Sequence, residues 1–207
     1  MSSAGTRSSL ALPALLLLLS ACSGSKEVPA FAPGDYAVYR YSGSYRKDPV
    51  TLKRTVEAAP AGGDIIFLNQ WESAGEKRTW REHIAPRPYD LTHNLAGRVE
   101  LPDGDGWSEV SNPDNMKLLE LRDGTLFNPQ GLPHLRKEEP GEFLAGGNKY
   151  PCVVKTYRTM VGGKRALLVR REAKGFKWGP LSEEYKAIQS ADFVFRSELI
   201  EEGNRRP

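Results

Sequence analysis

Thiol, imidazole, carboxylate and indole groups are where this chain could carry chemistry, and their spacing limits which chemistry that is. The three histidines are His83, His93 and His134. No two of them stand at the i, i+2 or i, i+4 separation that places imidazoles on one metal ion. His83 and His93 flank a proline-rich turn and would have to converge across it to hold zinc; a solvated or strand-face role asks for less. The run Asp103-Gly104-Asp105-Gly106-Trp107-Ser108-Glu109 matches a calcium loop at its first and third positions, but Trp107 fills the fifth and no glycine sits at the sixth, so it reads as a tight acidic turn. Glu138 and Glu139 are adjacent, which keeps them from flanking one bond on opposite sides. No serine of the mature chain lies in a Gly-x-Ser-x-Gly elbow, and Gly62-Gly63 and Gly146-Gly147 lack the helix and lysine of a phosphate loop. The sequence therefore implies no catalytic set, no metal and no cofactor.

Aromatic side chains are the more promising inventory. Trp71, Trp80, Trp107 and Trp178, with Tyr36, Tyr39, Tyr41 and Tyr45, would suit a sugar-stacking platform, while strands enrich aromatic residues as core and cross-strand pairs without any ligand. The candidate ligand face is Tyr39, Phe67, Trp71 and Trp80, provided that strand register places them together.

The cysteines carry a different message. Arg7 precedes an apolar run from Leu10 to Leu19 broken only by Pro13, and small residues follow it, the pattern of a secretory signal. The run is about half the roughly 20 residues needed to span a bilayer as a helix. Leu19-Ser20-Ala21-Cys22 resembles the lipobox of bacterial lipoproteins at all four positions. The resemblance implies cleavage before Cys22, a diacylglycerol on its sulfur and an acylated amino terminus, which together hold a domain permanently at a membrane. An ordinary secretory cleavage near Ala21 is the alternative. Ser23 follows the modified position where family knowledge places aspartate for inner-membrane retention, so a periplasm-facing outer-membrane address is expected, with surface exposure the other possibility. With Cys22 lipidated, Cys152 has no partner for a disulfide, and its setting in Tyr150-Pro151-Cys152-Val153-Val154 reads as a small buried group on a strand.

These segments divide the chain into a signal peptide over residues 1–21, a small-residue tether over 22–30 and one domain over 31–207. At 207 residues and 39% hydrophobic content one domain is expected. The formal charge of +3, from 29 basic and 26 acidic residues without long basic runs, gives no nucleic-acid footprint.

The domain reads as short strands. Tyr36–Tyr41, Val50–Val56, Asp64–Trp71 and Lys77–Ile84 follow one another across short turns, which forces antiparallel pairing. Residues 86–106 are punctuated by proline and glycine, Met116–Leu121 and Thr125–Phe127 give a hairpin signal, and Asn128–Pro140 reads as an extended surface loop. Val153–Met160 and Lys164–Arg171 flank a glycine turn, and Ala191–Ile200 closes the domain. Ser182–Gln189 carries a capping serine, two early glutamates, and Tyr185 and Ile188 on one helical face, so a short helix is expected there. The fold expected is all-β and mainly antiparallel, a curved meander sheet or half-barrel with at most one or two short helices.

From Glu142 to Lys186 the order of turn, Tyr-Pro-Cys-Val strand, glycine hairpin, basic strand and Ala173-Lys174-Gly175-Phe176-Lys177-Trp178-Gly179-Pro180-Leu181 is similar to the closing half of periplasmic and lipid-anchored half-barrel proteins, the group that includes lipoprotein carriers and the outer-membrane lipoprotein receptor. That likeness implies a curved sheet with an apolar concave face and no catalytic residues. The function expected is a non-catalytic, lipid-anchored envelope module that binds or helps assemble a lipid, glycan or protein partner. A carbohydrate-binding lipoprotein using its tryptophans and an envelope hydrolase are the alternatives.

Overall fold

The computed structural model describes residues 30–44, 47–87, 90–91, 95–110, 133–161, 163–188 and 193–205. They form eleven strands: β1 (Asp35–Ser42), β2 (Val50–Ala58), β3 (Ile65–Ser73), β4 (Glu76–Ile84), β5 (Ala96–Asp103), β6 (Gly106–Glu109), β7 (His134–Ala145), β8 (Asn148–Val161), β9 (Lys164–Glu172), β10 (Ser182–Ala187) and β11 (Phe193–Asn204). All belong to one antiparallel sheet in the order β6-β5-β4-β3-β2-β1-β11-β10-β9-β8-β7, with β6 and β7 at its two edges, so it does not close into a barrel. The all-β meander expected from the sequence is what the chain forms. β11 returns from the far end of the chain to pair with β1, and this pairing joins the two runs of hairpins into one sheet.

Period-two burial drives the pattern. Val50, Leu52 and Val56 of β2, Ile65, Phe67 and Trp71 of β3, and Trp80 and Ile84 of β4 are all buried and lie on one face. The sheet must curl for these side chains to meet, and one packed cluster does join residues of β1, β2, β3 and β4 to Ala145, Cys152, Leu168, Tyr185, Phe195 and Leu199 from the other half. A bulge assists the curl: Val38 pairs with Glu201 and Tyr39 with Leu199, leaving Ile200 as the extra residue. Glycine is needed close by, since a Cβ at Gly203 would stand 3.0 Å from the Tyr36 ring. At the β3–β4 hairpin both turn residues are left-handed, Ala74 at φ 50° and Gly75 at φ 83°, which matches the twist of the flanking strands.

Three expectations need correction. Ser182–Gln189 is not a helix, because residues 182–187 are strand β10, paired on both sides by β9 and β11. Its glutamates make cross-strand ion pairs in place of helix-end contacts: Glu183 holds Arg170 at 2.5 Å and Glu184 holds Arg196 at 2.5 Å. Residues 134–140 are not a loop but the first half of β7, an edge strand whose Pro140 is tolerated because it needs no partner on its outer side. The irregular middle contains the β5–β6 hairpin, turned at Gly104 with φ 56°, so the acidic run from Asp103 is a turn between strands. The hairpin expected over 116–127 lies outside the described residues. Cys152 is buried on β8, and burial pushes its thiol pKa up, as a packing role requires.

Candidate functional site

Register brings the four candidate aromatic residues onto one face. Tyr39 pairs with Leu52 and Leu52 with Trp71, Asn69 sits opposite Trp80, and Phe67 sits opposite Glu82. All four point into the concavity of the curled sheet, and all are buried: Tyr39 is 7% exposed, Phe67 2%, Trp71 5% and Trp80 0%.

A charged network lies among them that sequence reading missed. Glu82 is wholly buried, and its Oε2 accepts a hydrogen bond from Arg54 Nη2 at 2.9 Å while its Oε1 accepts one from Trp80 Nε1 at 2.9 Å. Arg54 Nε donates to Asn69 Oδ1 at 3.0 Å, Asn69 Nδ2 donates to the Phe67 carbonyl at 3.3 Å, and the guanidinium rests over the Phe67 ring at 4.6 Å. A carboxylate removed from water persists only if its charge and lone pairs are matched, and Glu82 has a cation on one oxygen and an indole donor on the other. The alternation of β2 and β4 carried the only available signal: Arg54 and Glu82 occupy positions in phase with Leu52, Val56, Trp80 and Ile84.

The protein covers this face with its own chain. The connection from β9 to β10, residues 173–181, crosses it and buries Leu181 completely. Tyr39 donates its hydroxyl to the Pro180 carbonyl at 3.0 Å, and burial pushes that hydroxyl well above its ordinary pKa, so it remains a donor. Trp178 meets Phe67 and Phe31 edge-on, with ring centroids 6.0 and 5.0 Å away, and Phe31 meets Phe67 at 5.3 Å. The buried Trp178 Nε1 finds no acceptor among the described residues, a cost of about 1–3 kcal/mol that this packing offsets.

Asp35 locks the cover. It accepts from Lys177 Nζ at 2.5 Å, from Asn204 Nδ2 at 2.8 Å and from the Ala32 N–H at 2.6 Å. Burial alone would raise the Asp35 carboxyl, but these donors and the Lys177 charge together hold it below its ordinary value. A carboxylate lowered in this way stabilises the fold above its unfolded pKa of about 4, and the contribution is lost as pH falls through that value towards the folded one. Acid titration of the wild type and Asp35→Asn should therefore show curves that differ near neutrality and converge below about pH 4. Parallel curves throughout would show that Asp35 titrates alike in folded and unfolded chains.

The remaining candidates are dispersed. Trp107 lies on the outer face beneath Arg81, 4.0 Å from its ring centroid, so the four tryptophans do not share one surface. His83 is buried with Nε2 3.1 Å from Glu100 Oε2, and Arg98 approaches the other oxygen of Glu100 at 3.1 Å. Burial raises the Glu100 carboxyl, but its His83 hydrogen bond and the nearby cations outweigh that and lower it. His134 is exposed at the start of β7, and His93 lies outside the described residues. Among the described residues no three His, Cys, Asp or Glu groups gather as metal ligands.

Fold and face together define a single open, curled antiparallel sheet whose concavity is filled by its own β9–β10 connection. No protein-family model and no curated protein sequence matches the chain. Among solved structures it is similar to a protein assigned as exported, with a YmcC-like fold, from Bacteroides fragilis, at 9% identity and TM-score 0.39 over 84% of this chain and 97% of that one. It is also similar to a protein assigned as a lipoprotein from Parabacteroides distasonis, at 8% identity and TM-score 0.39 over 83% and 96%.

Proposed function

We infer that this protein is a lipid-anchored module of the cell envelope, held at the outer membrane and facing the periplasm, that binds or helps assemble a partner without catalysing a reaction. The observation that carries the reading is the tetrad Leu19-Ser20-Ala21-Cys22 at the end of an apolar run, followed within a few residues by Phe31, which is already packed against Phe67 and Trp178. The interval between anchor and domain spans at most about 30 Å even when fully extended. Such a domain samples only the layer next to its membrane. The buried aromatic face gives it a rigid frame, and its outer surface is what a partner meets.

Metabolic labelling with a fatty-acid probe tests the anchor. The wild-type chain is expected to carry the label and fractionate with outer membranes, and Cys22→Ser is expected to carry none. A Cys22→Ser chain that keeps its label overturns the reading.

A further inference from the structure

A groove of about 420 Å³ lies at the edge of the covered face, between Tyr150 and Pro151 of β8 and residues Ala173, Lys174, Gly175 and Phe176 of the β9–β10 connection, and Tyr150, Ala173 and Phe176 also pack against the core. Its walls are largely apolar. Phe176 meets Tyr150 edge-on at 5.8 Å, and the Tyr150 hydroxyl is turned to Glu202 Oε1 at 3.2 Å, so the polar end of that side chain is already engaged. Lys174 is exposed at the rim and has no carboxylate partner among the described residues.

The position of the groove indicates what it meets. Two residues beyond Phe176, Trp178 contacts Phe31, where the chain departs towards Cys22. The groove therefore opens at the same end of the domain as Phe31, which on the anchored reading is the end towards the bilayer. An apolar groove with an exposed lysine at its rim, which has no ion pair among the described residues, complements a molecule with a hydrocarbon chain and an anionic head.

We propose that this groove takes one acyl chain of an anionic phospholipid from that bilayer, with the lipid phosphate against the Lys174 ammonium. The assignment rests on the anchored reading for its membrane-side orientation. Because Phe176 and Trp178 belong to the segment that covers the concave face, an occupied groove also fixes the domain's attitude to the membrane.

The test uses the full-length protein in phosphatidylcholine vesicles containing a trace of either phosphatidylglycerol or phosphatidylcholine with a photoreactive diazirine on the acyl chain. Crosslinks should map to the segments around Tyr150 and Ala173–Phe176, and phosphatidylglycerol should give several times more of them. Lys174→Gln, an exposed change, should lower the phosphatidylglycerol yield about fivefold, the contribution of one lysine near an anionic surface. Ala173→Trp, which fills the groove, should remove the crosslinks, with its circular dichroism confirming a folded sheet. Crosslinks that map elsewhere, that are equal from both lipids, or that are unchanged in Lys174→Gln overturn the proposal. The two readings fail separately: a labelled Cys22 with no groove crosslinks removes the groove alone, and groove crosslinks on a chain without label at Cys22 remove the anchor alone.

Discussion

Arg54→Met is expected to destabilise the domain by about 3–5 kcal/mol, because it leaves the carboxylate of Glu82 buried without its cation. For a domain of this size that corresponds to a fall in thermal midpoint of roughly 6–20 °C. The double variant Arg54→Met/Glu82→Met should recover much of the stability, because a buried pair replaced by apolar groups of similar volume is often nearly neutral. A single variant that melts like wild type at pH 7 would show that Glu82 is not charged in the fold.

Trp80→Ala is the second large effect, expected to cost about 3–5 kcal/mol. Its indole is fully buried, and its Nε1 supplies the hydrogen bond to Glu82 Oε1, so truncation opens a cavity and also strips a donor from a buried carboxylate. Trp80→Phe shifts the balance between the two contributions: it keeps an aromatic ring in the core, so it should cost the unsatisfied acceptor, about 1–3 kcal/mol, with a smaller cavity than alanine leaves. Urea denaturation of both variants measures the difference. If Trp80→Ala left the midpoint within two degrees of wild type, the indole would be dispensable to the core and free to serve a ligand.

Much of the fold was legible because its cause is local. Tyr36–Tyr41, Val50–Val56, Asp64–Trp71 and Lys77–Ile84 alternate with period two and are separated by turn residues, and all four are strands. Ser182–Gln189 misled because a serine followed by two glutamates resembles a helix start, whereas those glutamates answer Arg170 and Arg196 on neighbouring strands. Local propensity yields there to ladders on both sides of β10, information that lies in β9 and β11 and not in the segment itself. The edge strand β7 was missed for the opposite reason. Its first seven positions are all exposed, so they show no alternation for a reader to find.

The amino-acid sequence by itself determined the all-β class and the period-two faces of the first four strands, because each depends on neighbouring residues and on a backbone whose side chains alternate by geometry. Only the tertiary structure decided what those faces meet. Pairing of β1 with β11 joins residues some 160 positions apart, such as Tyr39 and Leu199, and that closure lets the sheet curl. Curling in turn sets Arg54, Asn69, Trp80 and Glu82 within hydrogen-bond reach and brings Trp178 and Pro180 down upon Phe31, Phe67 and Tyr39. The phase of Arg54 and Glu82 along their strands marks the face they occupy, but which residues they meet has no local signature, since a salt bridge or a covering loop is fixed by where distant segments arrive.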